Sequence, residues 1–246
     1  MTTNPVISQS VFRELQKLDT CTVSNAIERL QVRLRNEGSM TGKAPRCLFP
    51  DLPPLLGYAA TGRMRSTSAP PRGRAYHENI AWWRFVSSIP EPRVMVVEDA
   101  DDAPGAGALM GELHAAIGMA LHCAGYVTNG SARDLPALKA LRFPVFARGP
   151  AVSHMYAHIA EFGEQVEIGG LKILPGDLVH GDIHGVHVIP LSIAPEIPDM
   201  VSEILREEWE LKELCQSPHF SLDELERKLQ QLPGDGTEMN LNGHRE

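Results

Sequence analysis

Apolar residues recur at helical spacing near the start of the chain. Val23, Ile27 and Leu30 lie three or four positions apart, which places them on one face of a helix. The same spacing, together with caps, predicts helices in the middle and near the end. The helices expected are Ser10–Leu18, Thr20–Leu30, Glu78–Val86, Leu109–Ala124 with Gly125 just past its end, Leu135–Ala140, Glu196–Gln216, and a last one starting at a Ser221/Glu224 capping box.

Short apolar runs bounded by glycine, proline or acidic residues predict strands. The run Arg93–Val97 ends in two acids, which is typical of a short buried strand. Gly169 and Gly170 separate two short runs, and this pattern predicts a hairpin. The strands expected are Gly57–Met64, Arg93–Val97, Tyr126–Thr128, Val145–Ala147, Gln165–Ile168, Leu171–Leu174, Asp177–Val179 and Gly185–Ile189.

Three segments lack such periodicity. Gly38–Pro54 is rich in glycine, proline and charge, which predicts a long loop that acts as a lid or an interface segment. Ser66–Arg74 is proline-rich and expected to be irregular, and Pro233–Glu246 is expected to be a flexible tail. We find no internal repeat and no linker, so residues 1–232 are predicted to form a single domain of the α/β class.

Composition narrows the function. The 246 residues, 43% of them hydrophobic, are enough to bury one substantial core. The formal net charge of −8 repels phosphates, so we expect no nucleic-acid partner, although a protein partner fits. No apolar run reaches the length of a membrane span and no secretion signal is visible, so we expect no membrane association. The cysteines predict reduced thiols and a cytoplasmic location, because they are scattered: Cys21, Cys47, Cys123 and Cys215.

An arginine and an aspartate stand side by side where an apolar strand gives way to a helix. Arg133 and Asp134 occupy this turn, and Glu112 opens another helical segment upstream. An aspartate can hold a hard divalent cation, and a guanidinium can bind a carboxylate through two hydrogen bonds. The turn is therefore a candidate site, with an ordinary surface pair as the alternative.

The glycine-rich segment Pro104–Gly111 follows an apolar strand, as a dinucleotide-binding loop does. That loop, however, starts at the end of its strand and opens a helix directly. Here several acids intervene and place negative charge where a pyrophosphate would lie. We predict instead a small anion site, because glycines let backbone amides approach a carboxylate closely.

The histidines suggest a metal site. His154 and His158 have i, i+4 spacing, and His180, His184 and His187 cluster further on, so zinc or iron is one hypothesis. Within one regular strand, however, residues three apart point to opposite faces, and the first pair lies in a weakly helical segment. Structural or surface histidines are the preferred interpretation.

The segment Gly111–Gly149, with its Arg133-Asp134 pair and the run Phe143–Gly149, resembles the family of the regulator of ribonuclease activity A. This family includes the class II 4-hydroxy-4-methyl-2-oxoglutarate and 4-carboxy-4-hydroxy-2-oxoadipate aldolases. The resemblance covers roughly residues 15–210. Two residues depart from the family pattern: Asn129 replaces an aspartate and Ala132 replaces a valine. Further matching segments are Leu18–Thr20, Val23–Ala26, Pro175–Asp177 and Gly181–Val186.

The resemblance implies a fold, an assembly and a reaction. The fold is a layered β/β/α sandwich like the swivelling phosphohistidine domain, with helices at both ends of the chain. The assembly is a homotrimer or a homohexamer. The reaction is metal-dependent retro-aldol cleavage of a 4-hydroxy-2-oxo acid to release pyruvate, together with decarboxylation of oxaloacetate. The small-molecule partner is therefore a 2-oxo acid.

The resemblance also implies residue roles. Asp134 binds the metal, Mg²⁺ or Mn²⁺, and Arg133 binds the substrate and stabilises developing charge. Glu112 replaces a family aspartate that holds a water for proton transfer. The backbone from Gly111 through Leu113 and His114 receives the substrate carboxylate. An acid from a neighbouring chain completes the site, and the candidates are Glu203, Glu207, Glu208 and Glu210.

Other functions attached to this family are alternatives. Some members bind ribonuclease E or its helicases and inhibit through a protein surface, without catalysis. Retention of Arg133, Asp134 and an acid at Glu112 favours an enzyme. Methyl transfer lacks support, because no glycine-rich cofactor loop follows a strand end directly.

Overall fold

The computed structural model describes residues 6–40, 45–70 and 79–232. Side-chain oxygens of Ser8, Asp19, Asn79 and Ser221 each accept a backbone N–H in the first turn of the helix that follows. The helices of this part of the chain are α1 (Gln9–Leu15), α2 (Thr20–Arg29), α3 (Ile80–Ser88), α4 (Glu112–Ala120), α5 (Leu135–Ala140), α6 (Ile197–Gln216) and α7 (Leu222–Gln231).

The strands form one large mixed sheet and two small sheets. The large sheet has the order β1–β7–β5–β3–β2–β12–β13, with β9 also paired to β2. The four central strands β7, β5, β3 and β2 are parallel, and the outer strands join antiparallel. Their bounds are β1 (Arg46–Cys47), β2 (Leu55–Arg65), β3 (Arg93–Asp99), β4 (Ala108–Met110), β5 (Cys123–Thr128), β6 (Ser131–Ala132), β7 (Val145–Ala147), β8 (Gly149–Pro150), β9 (His158–Phe162), β10 (Val166–Ile168), β11 (Leu171–Ile173), β12 (Leu178–Asp182) and β13 (Gly185–Ile189).

Both faces of the central strands are buried. Met95 and Tyr126 point into a large core that also contains apolar residues of α1 to α6. Val96 and Val127, one position further along each strand, point the other way and pack with Leu171 and its neighbours in the β10–β11 hairpin. The result is an α/β fold in which helices cover one face of the sheet and a two-stranded hairpin covers the other.

Several predicted elements are confirmed. The hairpin turns at Gly169 and Gly170, whose φ angles of 58° and 78° are the positive values that a two-residue hairpin turn of this kind requires. The strand predicted at Gly185–Ile189 has those bounds. At the last helix only half of the capping box forms, because the Glu224 carboxylate binds Arg227 at 3.0 Å.

The long helix predicted at Leu109–Ala124 is wrong at both ends. Residues 108–110 form β4, and the helix stops at Ala120, followed by His122 in a left-handed conformation with φ of 55°. Gly125 lies inside β5 and does not end the helix. Its role is steric, because a Cβ there would lie 2.7 Å from both Leu55 Cδ1 and the Pro144 carbonyl oxygen.

The predicted loop Gly38–Pro54 contributes to the sheet. Met40 N–H donates to Val186 O at 3.0 Å, and β1 within the same segment pairs with β7. The described part of Ser66–Arg74 has no regular element, as predicted, while residues 71–78 and the predicted tail 233–246 lie outside the described residues. No described helix combines the length and the apolar character needed to cross a membrane.

The packing around Gly125 gives a stability prediction. Gly125→Ala should destabilise the fold by about 1–3 kcal/mol, because the new methyl group overpacks a site between two strands. Gly149→Ala is the control, since nothing lies within 4 Å of a Cβ built there. Chemical denaturation of both variants checks this, and equal stability of the two would contradict the steric role of Gly125.

Candidate functional site

A small parallel sheet brings the two halves of the predicted site together. β4 pairs with β6, and Arg133 N–H continues the pairing by donating to Met110 O at 2.9 Å. α4 begins directly after β4, and α5 begins directly after the Arg133-Asp134 turn. The parallel register therefore places the first residue of α4 beside Asp134.

Asp134 lies at the N-cap position of α5 with an unusual backbone. Its φ and ψ of 54° and 37° are left-handed, and its side chain does not cap its own helix. Its Oδ2 instead accepts the Glu112 N–H at 3.2 Å, while Oδ1 accepts Arg133 Nε–H at 3.2 Å. A left-handed non-glycine residue is held by its surroundings at a cost in energy, and such residues cluster at functional sites.

Gly111 sets the distance between α4 and the Arg133-Asp134 turn. A Cβ at Gly111 would lie 2.7 Å from Asp134 Oδ2 and 3.0 Å from Arg133 Cγ, too close for any other residue without displacement. Its backbone is extended, so the requirement is for space and not for an unusual φ. The glycine lets a helix start approach a carboxylate in direct contact.

The charged groups of the turn are accessible. The Arg133 side chain is 29% exposed and that of Asp134 is 36% exposed. Only Nε of Arg133 is used, and its two Nη groups donate to no described residue. Glu112 is exposed in the first turn of α4, and its carboxylate makes no ion pair within the described ranges. Two Nη groups and two carboxylates thus remain open to a ligand.

The start of α4 adds backbone donors. Helix geometry leaves the first amides, including those of Leu113 and His114, without carbonyl partners inside the helix. The Leu113 side chain is 48% exposed beside these amides. The His114 ring is buried and packs against Trp83, with ring centroids 5.0 Å apart. The His114 ring therefore belongs to the core.

Asn129 is one of the two residues that depart from the family pattern, and it aligns the strand that leads to the site. Its Oδ1 accepts Asp99 N–H at 2.6 Å, and its Nδ2 donates to Asp99 O at 3.1 Å. A carboxylate could accept the first bond but could not donate the second. The Asn129 side chain thus adds two hydrogen bonds to the backbone of Asp99, where the pairing of β3 with β5 ends.

The anion site predicted at the glycine-rich segment is wrong for Gly105 and Gly107, because an aspartate and a serine of the chain already accept hydrogen bonds from their amides. Gly105 N–H donates to Asp99 Oδ2 at 2.7 Å, and Gly107 N–H donates to Ser66 Oγ at 3.2 Å. Burial raises the pKa of Asp99. Burial also acts to raise the pKa of Asp101, but hydrogen bonds from Ser66 and Thr67 outweigh it, and the net pKa is lowered. These acids were visible in the sequence, but their partners were not.

The clustered histidines form a buried pair. His180 Nδ1 and His187 Nε2 are 2.9 Å apart, and His180 Nε2 is 3.1 Å from Leu18 O. The carbonyl can only accept, so His180 carries its proton on Nε2 and accepts from His187. His184 is exposed and binds Asp182. Among the residues that the structure describes, no three histidines, cysteines or acids are grouped to hold a metal.

Three of the four acids considered for a shared site are engaged within the chain. Glu207 pairs with Arg29 at 2.9 Å, Glu208 with Lys212 at 3.0 Å, and Glu210 with Lys228. Glu203 is exposed and has no ion-pair partner in the described part of the chain. Of these four acids, Glu203 is therefore the one that stays unpaired in the described part of the chain.

Comparison with known proteins identifies the family. A family model described as Aldolase/RraA, of the RraA-like group, matches residues 20–188. The chain therefore belongs to the RraA-like family, whose members include aldolases and ribonuclease inhibitors. The matched range contains the whole Arg133-Asp134 turn and α4.

Three individual proteins illustrate the similarity. A Halalkalibacterium halodurans protein, provisionally named a 4-hydroxy-4-methyl-2-oxoglutarate aldolase, is 33% identical over 46% of this chain and 53% of its own length. Streptomyces coelicolor RraAS2, described as an unusual member of the RNase ES inhibitor RraA family, is 26% identical, with a TM-score of 0.63, over 84% of this chain and 96% of its own. An uncharacterised Pseudomonas syringae pv. tomato protein is 23% identical, with a TM-score of 0.70, over 94% and 98%.

The match to the curated relatives is partial. This chain spans about half, 53%, of the Halalkalibacterium halodurans protein and 43% of an uncharacterised Methanocaldococcus jannaschii protein that is 35% identical. The Pseudomonas syringae similarity supports the fold alone. The activity, substrate and partners of this chain are therefore proposals.

The buried histidine pair predicts a dependence of stability on pH. Burial lowers the pKa of His180 to about 4 and, together with His180, that of His187 to about 3, from an ordinary 6.5. The unfolded chain then binds more protons below pH 6.5, so the folding free energy is lost as pH falls from 6.5 towards 4. His187→Gln should reduce the slope of stability against pH in this window by about 1.4 kcal/mol per pH unit.

The measurement is urea denaturation at pH 7.5, 6.5, 5.5 and 4.5. The exposed His219→Gln is the control and should keep the wild-type slope. Parallel slopes for wild type and His187→Gln would show that the buried pair does not control this dependence.

Proposed function

We propose that this protein is a divalent-metal-dependent carbon–carbon lyase that cleaves a 4-hydroxy-2-oxo acid and releases pyruvate, and that the same site decarboxylates oxaloacetate. The observation that carries the proposal is the Arg133-Asp134 turn. It offers two unused guanidinium Nη groups beside an accessible carboxylate, in contact with the start of α4. The guanidinium and the helix amides are suited to bind a small dianionic keto acid, and the Asp134 carboxylate is suited to bind a divalent metal.

Arg133 is proposed to bind and polarise the keto acid. Asp134 holds the guanidinium through Nε, so the planar Nη groups are oriented without being consumed. Breaking the bond between C3 and C4 of the substrate leaves negative charge on the 2-oxo oxygen. A fixed cation there stabilises that charge in the transition state more than in the ground state.

Asp134 is proposed as the protein ligand of Mg²⁺ or Mn²⁺. Each carboxylate oxygen accepts one hydrogen bond, so each keeps a further lone pair for a cation or its waters. A single carboxylate with open surroundings suits Mg²⁺, which keeps several waters, better than zinc, which is held by three or four protein ligands. The metal would supply Lewis-acid stabilisation of the developing charge.

Glu112 and the α4 amides complete the proposed chemistry. The exposed Glu112 carboxylate is suited to accept the proton of the substrate 4-hydroxyl through a water and to return a proton to C3. The first amides of α4, at Leu113 and His114, are suited to bind the substrate carboxylate, since a helix N-terminus favours an anion. Gly111 leaves room for the start of α4, which carries Glu112 and these amides, to lie against Asp134.

The assembly and location remain predictions. The site lies on an accessible edge, which is compatible with a trimer or hexamer in which Glu203 of a neighbouring copy closes it. A layered sandwich of the swivelling phosphohistidine type, a single domain over residues 1–232 and a cytoplasmic location are proposed with it.

A second function is favoured by one relative. Streptomyces coelicolor RraAS2 is described as belonging to an RNase ES inhibitor family. On that basis the chain is alternatively a protein-binding regulator, whose partner would be a ribonuclease. The net charge of −8 suits a basic partner. For the enzyme the sequence predicts a keto acid and further copies of the chain as partners, and a ribonuclease partner belongs to the alternative function.

Asp134→Asn should abolish pyruvate release while the fold is retained. The amide keeps the size of the side chain but loses the anionic ligand for a hard cation. Excess EDTA should abolish the wild-type activity, and added Mg²⁺ should restore it. The control is Asp223→Asn, an exposed position on α7.

Pyruvate release from 4-hydroxy-4-methyl-2-oxoglutarate and from oxaloacetate is the assay. Full activity in Asp134→Asn, or in wild type with EDTA, refutes the metal assignment. No pyruvate from any 4-hydroxy-2-oxo acid, together with inhibition of a ribonuclease, establishes the regulator instead.

Variants of Arg133 separate the contribution of its positive charge from that of its planar, two-point contact with the keto acid. Arg133→Lys should keep some activity with a raised KM and lowered kcat, because lysine keeps the charge and loses the planar fork. Arg133→Ala should lose roughly 3–4 kcal/mol in kcat/KM, as for loss of an oxyanion donor. Arg206→Ala, exposed on α6, is the control. A melting curve on each preparation accompanies the kinetics, and an alanine variant that melts earlier but turns over normally would make Arg133 structural.

A further inference from the structure

A groove lies between α1 and the ends of β2 and β3, away from the Arg133-Asp134 turn. Its volume is about 500 Å³, within the range of small-molecule sites. The side chains that line it include Phe12, Arg13, Tyr58, Pro92 and His122.

Tyr58 provides a buried hydroxyl with an unused proton. The residue is 1% exposed, and its phenolic oxygen accepts the Ile7 N–H at 3.0 Å. Burial raises the pKa of Tyr58, so the hydroxyl keeps its proton. The described residues offer no acceptor for that proton. A buried donor without an acceptor is costly, and an acceptor supplied by a ligand in the groove removes that cost.

The charges around the groove favour an anion. Arg13 is exposed on α1 and has no ion-pair partner among the described residues. The acid in the lining, Glu91, is already bound by Arg93 Nη1 at 3.1 Å. The groove lining thus holds one cation without an ion-pair partner in the described chain and one acid that is already paired.

The remaining lining is apolar. Val6 is 60% exposed, and with Phe12 and Pro92 it presents carbon to the space. A ligand with an apolar body removes this surface from water, at a gain of about 25 cal/mol per Å². The lining thus combines an apolar wall, a hydroxyl donor and a cation.

We propose that this groove is a second binding site, which takes a small organic carboxylate with an apolar body. The body packs on Phe12 and Pro92, and the carboxylate faces Arg13 and accepts a hydrogen bond from the Tyr58 hydroxyl. Nothing in the site described above uses these residues. The two sites lie at opposite ends of α4: Glu112 begins the helix and His122 follows its end. A nine-residue helix spans roughly 13 Å, so one ligand cannot occupy both.

The test is calorimetric titration of the full chain with hexanoate and with benzoate, and with hexanamide and benzamide as uncharged controls. We expect one carboxylate site per chain and no binding of the amides. Arg133→Ala should bind the carboxylates as wild type does, which separates this site from the proposed keto-acid site whether or not the chain is an aldolase.

Two variants locate the binding. Arg13→Gln should weaken the affinity tenfold or more, whereas Lys17→Gln, which removes the same charge from an exposed position outside the groove, should not. Tyr58→Phe should weaken it several-fold, with circular dichroism confirming the fold. No carboxylate binding to wild type, equal binding by Arg13→Gln, or loss of binding in Arg133→Ala would each overturn the proposal.

Discussion

The parallel centre of the sheet is the constraint on which the rest of the molecule depends. Four neighbouring strands are buried on both faces, so their polar groups can reach water only at the strand ends. In a parallel sheet these ends share an edge. Three features therefore gather at one rim of the sheet: the acids at the end of β3, the amide after β5 and the Arg133-Asp134 turn. The small β4–β6–β8 sheet aligns them there.

Contact between two helix starts turns that rim into a site. The start of α4 donates to Asp134, and Asp134 opens α5 from a left-handed backbone. The Asp134 carboxylate accepts a hydrogen bond from the start of α4, where the helix dipole favours a negative charge, and this offsets part of the cost of that backbone. The same carboxylate orients Arg133. The start of α4 and the Arg133 guanidinium thus both depend on the Asp134 carboxylate. The glycine at position 111 leaves room for this contact.

Features that depend on neighbours along the chain could be predicted from the sequence, whereas features that depend on pairing between distant segments could not. The Gly169-Gly170 turn and the buried run at 93–97 depend on neighbours in the chain, and both appear as predicted. The predicted helix includes Leu109 and Met110, but both lie in β4. A three-residue strand shows no periodicity, and its partner lies more than twenty positions away. Arg133, Asp134 and Glu112 were recognisable as chemistry, whereas the spacing role of Gly111 exists only once α4 meets the turn.

The histidines and acids show the same limit. His180 and His187 are seven residues apart, and only the antiparallel register of β12 with β13 places them opposite each other. The sequence predicts that Asp99 and Asp101 repel a phosphate, and in the structure both accept hydrogen bonds from amides of their own chain. Sequence shows which charges exist, and the tertiary structure decides which of them remain available.

Asn129 has a consequence for how the rim responds to acidity. The strand end before Arg133 is fastened by amides and carbonyls, which do not titrate. The glycine-rich segment opposite is fastened by Asp99, a carboxylate that takes up a proton at a higher pH than an ordinary aspartate. Acidification therefore weakens the hold on Gly105 and leaves the alignment of the β5 end unchanged. One side of the rim is thus held by an amide side chain that does not titrate, and the other side is held by a carboxylate that does.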